Sequence, residues 1–515
     1  MRKLPLGIQT FSEIINNNFL YIDKTKQIES LINKGKYYLF SRPRRFGKSL
    51  LLSTLKEIFK GNKELFKNLY IYDKIEWVNY PVIHFNFSSI KHSGTSEEFK
   101  LNIVNYIKTA ALKYNITITK TSVGEAFSEL IFELQKTNKV VVLIDDYDKP
   151  ITDYLAFVKK AIENRDVLSE FYSSLNDNDQ YIRFCFITGL SKVSPSLLFL
   201  QLPDLKDITL NQVYSTLCGC TQKELEFYFK DRLLKVTEKF HDYIENIKIN
   251  VKYWYNGYSW DGITTVYNPY SLFNFFDDGV FNNYWFSTGT PTFLAEKIKF
   301  EKLKISEINN LMLEFEEFES LDPENLKAYA LLFQKGYITI TDCDYENKIC
   351  ALSYPNREVK ESLLIHLLSS FSNIPLPKTK PLYIELKNYL AKNDIHNFIE
   401  TLKSFFTKIP HTLHVEKEMY YQSLFYIILD LMEFNIEAEK STSTGIIEGV
   451  FEFENLIYII ELKYLPESKG SKNSLKNEIN LIKSKKYFEP FLHKNKSIKF
   501  LAIAVNKANI EYTEE

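Results

Sequence analysis

The chain has 515 residues, 45% of them hydrophobic and 25% charged, values that exclude global disorder and fibrous classes and call for roughly two to four domains. Its formal net charge of −1 removes any argument from overall basicity, so a nucleic-acid partner has to be argued from a local surface. Five cysteines (Cys185, Cys218, Cys220, Cys343, Cys350) are few, odd in number and without CxxC spacing, which argues against a disulfide framework or a zinc site and fits a reducing cytoplasm.

In chain order, the start Met1-Arg-Lys-Leu-Pro-Leu-Gly7 lacks the apolar core of a signal peptide, and no stretch approaches the roughly 18 apolar residues that span a bilayer, so no membrane partner is expected. Residues 36–211 alternate short β-rich runs with longer amphipathic stretches, the pattern of an α/β fold with crossover helices around a mostly parallel sheet. Tyr37-Tyr-Leu-Phe-Ser41, Val82-Ile-His-Phe-Asn-Phe87, Val140-Val-Val-Leu-Ile144 and Ile182-Arg-Phe-Cys-Phe-Ile187 have strand length and composition. The spacing turns helical from Thr221 to about Lys252. A turn-rich aromatic segment follows, from Trp254 through Pro291, and reads as a lid or subdomain. Residues 296–410 are rich in Leu, Glu and Lys at helical spacing, with a proline break at Pro375–Pro381, and read as a helical connector.

The last part, 411–515, predicts a helix over Glu418–Glu433. Two runs then look like a hairpin, Gly449–Phe453 and Ile457–Leu462. A Lys-rich helix near Lys472–Phe488 and a strand Ile498–Val505 complete a small α/β unit. The expected domains are therefore 1–295, 296–410 and 411–515.

Strand, short basic loop and apolar helix start follow one another in Tyr37 to Ser53, the context of a P-loop. The candidate nucleotide-binding loop is Arg42, Pro43, Arg44, Arg45, Phe46, Gly47, Lys48 and Ser49. Gly47 allows the backbone close to phosphate, Lys48 reaches the β- and γ-phosphates, and Ser49 offers a hydroxyl to Mg²⁺. Arg42 stands where the usual pattern has its first glycine. Arg44 and Arg45 either contact phosphates or solvate the loop. Val140 to Asp145 is a buried strand ending in a carboxylate, so Asp145 is the expected Mg²⁺ partner and Asp146 the candidate base or water-positioning carboxylate. Thr188, ending the fourth strand, either senses the γ-phosphate through its hydroxyl or is an ordinary strand-end threonine.

Near the carboxyl end, Glu461-Leu-Lys463 ends a strand and Glu448 precedes its hairpin partner. Two carboxylates at one edge suit Mg²⁺, which polarises a phosphodiester, while Lys463 orients the attacking water. A bare ExK is equally a solvated charge pattern. The lysines from Lys463 through Lys486 suit a phosphate backbone, although abundant Lys, Asn, Ile, Phe and Tyr reflect composition as well. His411 and His414, three apart, read as surface or core histidines.

Leu4-Pro-Leu-Gly-Ile8, Tyr21-Ile-Asp-Lys-Thr25, Ser41–Ser49, Leu143-Ile-Asp-Asp-Tyr-Asp-Lys-Pro150 and Thr188-Gly-Leu-Ser-Lys192 resemble, in order and spacing, the AAA-ATPase-like proteins widespread in bacteria. Tyr255-Asn-Gly-Tyr258, Tyr267-Asn-Pro269 and Tyr284–Pro291 extend the resemblance to about residue 295. It implies ATP and Mg²⁺ as cofactors and makes Arg42 the usual residue at its position. It also implies slow hydrolysis, because such proteins commonly have Asp-Glu where this chain has Asp145-Asp146. Members usually carry a PD-(D/E)XK nuclease-like domain at the carboxyl end. Thr444–Val450 followed by Tyr458–Lys463 looks like it, with Glu448 in place of an aspartate, Ile446 in place of an arginine and Leu481 where glutamine is common. The implied function is an ATP-binding, ATP-hydrolysing protein whose nucleotide state controls a Mg²⁺-dependent nuclease-like module acting on nucleic acid, with homo-oligomerisation left open. The alternative is a nucleotide-switched scaffold with an inactive nuclease fold. A small-molecule kinase is disfavoured because no acceptor motif follows the P-loop.

Overall fold

A computed structural model describes residues 1–194, 198–199, 202, 204–285, 292–301, 303–407, 417–432, 447–452, 455–464, 471–484, 488–505 and 510–515. The chain divides into two compact units, one of residues 1–289 with 310–359 and one of 290–309 with 360–515.

The first unit is built on five strands, β1 (Tyr37–Ser41), β2 (Val82–Asn86), β3 (Val140–Asp145), β4 (Ile182–Gly189) and β5 (Lys206–Asp207). They form one sheet in the order β2-β3-β4-β1-β5, parallel at every pairing. Because both faces are covered, β1 and β3 are buried at every position, as their uninterrupted apolar runs require. The four strands expected from those runs are all present. The two-residue β5, with one exposed and one half-buried residue, is too short to leave a pattern.

Helices Ser96–Leu112, Val123–Leu134 and Val158–Asp177 bury their apolar residues in one core with the sheet. At its centre Phe171 stacks on Phe127 at 4.6 Å and meets Phe85 edge-on at 5.0 Å, an arrangement that adds about 1 kcal/mol per ring pair beyond area burial. The helix Lys48–Phe59 follows β1 directly. Parallel strands put all their carboxyl ends on one edge, so the loops after β1, β3 and β4 meet there.

The helical reading of 221–252 holds as Gln222–Tyr228, Lys230–Phe240 and Ile244–Tyr255. Thr221 and Glu224 form a reciprocal capping box at the first, worth about 1 kcal/mol. Asn268 caps the helix Pro269–Asp278 through the Tyr270 and Ser271 N–H groups. Leu4 and Leu20 from the amino terminus share the core of these helices with Leu225, Phe229, Val251 and Phe275. The start of the chain is thereby packed against these helices.

The helical-connector reading of 296–410 fails in its middle. Three strands, β6 (Leu311–Glu314), β7 (Thr339–Asp344) and β8 (Ile349–Ser353), form an antiparallel sheet in the order β6-β8-β7 and belong to the first unit. Leu311 and Leu313 face inward while Met312 is exposed, a period-two signal only four residues long inside Leu- and Glu-rich sequence. Cys343 and Cys350, opposed on β7 and β8, form a disulfide, contrary to the expectation of no bridge. A seven-residue separation becomes adjacent only once a hairpin turns between the two. Cys185, Cys218 and Cys220 are free and buried.

In the second unit, helices Leu376–Ala391 and Ile395–Thr407 precede Lys417–Leu431. The expected proline break at Pro375–Pro381 is a break only at Pro375, the N-cap residue of Leu376–Ala391, since Pro381 lies inside that helix. The expected hairpin is β9 (Ile447–Glu452) against β10 (Leu456–Tyr464), antiparallel. The helix Ser471–Ser484 crosses over to β11 (Ser497–Val505), parallel to β10, and β12 (Ile510–Glu514) closes the order β12-β11-β10-β9. Ile457, Ile459, Leu475, Ile479 and Phe500 make its core. His411, His414 and the stretch Thr444–Ile446 lie outside the described residues.

Candidate nucleotide site and carboxy-terminal carboxylates

The loop after β1 turns on two left-handed residues, Arg45 (φ 69°) and Gly47 (φ 95°). A Cβ at Gly47 would meet nothing within 4 Å, so glycine is there for its backbone conformation. Gly47 directly precedes the helix Lys48–Phe59, whose free N–H groups and positive dipole end face the loop. Lys48 is buried, and its Nζ donates to the carbonyls of Arg42 (2.9 Å) and Pro43 (3.1 Å). Burial pulls its pKa down, while Asp146 and Asp145 oppose that shift.

Ser49 Oγ donates to Asp145 Oδ2 at 2.6 Å. Burial pushes the Asp145 pKa up, against the Ser49 hydrogen bond and the Lys48 charge. A hydroxyl and a buried carboxylate brought together beside an ammonium are the hard oxygen donors that suit Mg²⁺. Asp146, next to them, has φ 51°, and burial followed by the Asp145 charge raises its pKa. A carboxylate poised to stay protonated at higher pH than usual fits a proton-handling role.

Two expected ligands are placed elsewhere. Thr188 is fully buried and its Oγ1 donates to the Phe40 carbonyl at 2.7 Å, so its hydroxyl ties β4 to β1 rather than reaching a phosphate. Arg42 is 1% exposed. Its Nη1 donates to the carbonyls of Ser41 (2.8 Å) and Thr209 (2.7 Å) and its Nη2 to that of Tyr214 (3.4 Å), so its side chain is no phosphate ligand. Burial draws the guanidinium pKa down to about 9. Arg45 lies over the Tyr270 ring at 3.7 Å. The Arg44 carbonyl accepts from Trp285 Nε1 at 3.3 Å. Phe46 is buried edge-on against Tyr258 (4.8 Å) and Trp260 (5.2 Å). Pro43 sits against Gly336, where a Cβ would come within 2.8 Å of the proline ring.

A cavity of about 410 Å³ is lined by Arg44–Leu51 and Asp146 together with apolar residues that include Leu6, Ile8, Ile22, Leu217 and Phe273. Charged and apolar residues lining one cavity suit a ligand that, like a nucleotide, carries both phosphate and an apolar ring. Leu6, Ile8 and Ile22 come from the amino terminus, where single Leu and Ile residues carry no pattern that marks a binding site. Asp148 was missed as well. It is fully buried and accepts from the N–H groups of Leu190 (3.0 Å) and Ser191 (2.9 Å), fixing the loop after β4. It follows Asp145 and Asp146 in the segment Asp145-Asp-Tyr-Asp148, where nothing in the pattern alone distinguishes a structural carboxylate from a catalytic one.

In the second unit Glu461 is 1% exposed and stands directly across the β9–β10 pair from Glu448. Nothing is described of the Glu448, Lys463 and Leu481 side chains. Small residues, Ala502 and Ala504, are the β11 partners of Glu461 and Lys463.

Residues 5–199 match the family described as Predicted AAA-ATPase, and residues 416–515 match the PD-(D/E)XK nuclease superfamily. Over 98% of its length the chain is 33% identical to a protein of Azotobacter chroococcum mcd 1, described as an uncharacterized protein in the vnfD 5′ region, of which 97% is covered. Among the described residues no helix is long and apolar enough to cross a membrane.

Proposed function

This chain belongs to the predicted AAA-ATPase family and carries a PD-(D/E)XK nuclease superfamily domain at its carboxyl end, and on that premise we propose that it binds ATP with Mg²⁺ in the first unit and couples nucleotide state to a Mg²⁺-dependent nuclease-like module in the second. The observation that carries the nucleotide half is the Ser49–Asp145 pair at 2.6 Å beside Lys48. Ser49 and Asp145 hold the metal, which when bound offsets phosphate charge. Lys48 exchanges its two loop carbonyls for phosphate oxygens. Asp146 accepts the proton of the attacking water, from a side chain one carbon shorter than glutamate, which makes turnover slow.

In the nuclease-like module Glu448 and Glu461 hold Mg²⁺ and Lys463 orients the water that attacks a phosphodiester of DNA or RNA. Cytoplasmic location and homo-oligomerisation belong to the same reading. A nucleotide-switched scaffold with an inactive nuclease fold is the second reading, favoured by Asp146, by Glu448 in place of an aspartate and by Leu481 where glutamine is common. The deciding assay is Mg²⁺-dependent cleavage of DNA and of RNA, with and without ATP, by wild type, Lys48→Ala and Lys463→Ala. Cleavage lost in Lys463→Ala supports the nuclease reading. Absence of cleavage by wild type overturns it in favour of the scaffold.

A further inference from the structure

We propose that Arg42 is a positioning residue of the nucleotide site, one that holds the phosphate-binding loop from behind and makes its shape depend on Trp260. The inference rests on the nucleotide-binding reading of the first unit and assigns within it a part that the loop motif does not contain. In the usual eight-residue pattern the first position is a glycine, which contributes no side chain. Here it is an arginine, and its planar guanidinium is sandwiched between two rings, 4.3 Å from the Phe40 centroid and 3.9 Å from that of Trp260. Its edge donates to three backbone carbonyls, of Ser41, Thr209 and Tyr214. Those contacts join the end of β1 to the segment after β5 and to the loop that carries Trp260.

The front of the same residue faces the chemistry. The Arg42 carbonyl accepts from Lys48 Nζ at 2.9 Å, so the side chain fixed at the back sets where the phosphate-binding ammonium rests. Trp260 does not act on Arg42 alone, because it also packs edge-on against Phe46 of the loop at 5.2 Å. The loop bearing Trp260 is itself pinned to the three-stranded sheet. Ser259 N–H donates to Thr339 Oγ1 (2.7 Å), and that hydroxyl donates back to the Ser259 carbonyl (2.8 Å). Tyr345 OH donates to the Asp261 carbonyl at 2.8 Å. A guanidinium suits this place and an ammonium does not. Only the planar fork offers two faces to rings and an edge to several acceptors at once.

The test measures binding of ATP and of ADP, each with Mg²⁺, to the full chain by calorimetry, in wild type, Arg42→Lys, Trp260→Ala and the double variant. Each single variant is expected to weaken both nucleotides by about tenfold, and the double no more than the weaker single, because the two side chains hold one element. Melting curves of the nucleotide-free chains check folding, and Arg42→Gln, which keeps a planar donor, stands in if Arg42→Lys does not fold. A folded Arg42 variant with wild-type affinity overturns the inference, as do losses that add in the double. A loss confined to ATP and absent with ADP overturns it too, since that marks a direct γ-phosphate ligand. Failure of wild type to bind either nucleotide overturns the underlying nucleotide reading instead.

Discussion

The two candidate sites of this chain are assembled by different means. In the first unit the functional groups sit where loops join the ends of parallel strands and the start of a helix, Asp145 ending β3 and Lys48 and Ser49 opening Lys48–Phe59, and each loop is braced from outside. Phe46 and Arg42 pack on Trp260, Pro43 on Gly336, and the loop after β4 hangs on Asp148. In the second unit Glu461 and Glu448 are opposed by strand register alone, two positions of a hairpin that need no loop. A loop-built site depends on many distant residues, whereas a register-built site depends on the pairing of two strands. Distant substitutions are therefore expected to alter the first and spare the second.

The largest expected effect is on the register-built site. Glu461→Ala should lower Mg²⁺-dependent cleavage by about 10²–10⁴-fold with ATP affinity unchanged, as read by nuclease assay beside calorimetry. A cleavage rate that survives the change removes Glu461 from the chemistry. Next, Lys48→Ala should weaken ATP binding by about 10–100-fold, the worth of a charge-assisted contact, without moving the melting temperature of the nucleotide-free chain by more than a few degrees. Asp146→Asn should leave ATP affinity intact and lower ATP turnover by about 10²-fold or more, and Asp146→Glu should raise turnover. Equal hydrolysis by all three would show that this carboxylate does not handle the proton.

Glu358 probes the bracing itself. It is 1% exposed and accepts from the Trp285 N–H at 2.6 Å, and Trp285 in turn donates to the Arg44 carbonyl. Burial raises its pKa from 4.5 to about 7. A carboxyl that binds its proton more tightly folded than unfolded stabilises the fold below pH 4.5, and that contribution is lost as pH rises to about 7. Glu358→Gln, neutral throughout, should therefore be more stable than wild type at pH 8, by on the order of 1–3 kcal/mol, and equal to it at pH 4.5, as read by denaturant unfolding. A pH-independent difference would contradict the burial argument. An effect of the same size is expected at Gly336, where φ is 84° and an added Cβ meets the Pro43 ring. Gly336→Ala should cost about 1–3 kcal/mol in unfolding free energy.

What could be read in the sequence follows the same division. Strands buried on both faces leave uninterrupted apolar runs, so β1 to β4 were legible, and the P-loop and Asp145 were legible because their chemistry requires those residue types at strand ends. The roles of Arg42 and Thr188 were not legible. The Arg42 guanidinium lies against Trp260, 218 residues later, a contact that no local pattern announces. Likewise a threonine at a strand end bonds whichever neighbour the sheet order supplies, here β1. The sheet β6–β8 escaped notice because its strands are short, half exposed and set in Leu- and Glu-rich sequence.

The most direct test of coupling between the two sites compares Mg²⁺-dependent cleavage with and without ATP in wild type and Lys48→Ala. The account predicts that ATP changes the wild-type rate and leaves that of Lys48→Ala unchanged. A wild-type rate that is the same with and without ATP would contradict it.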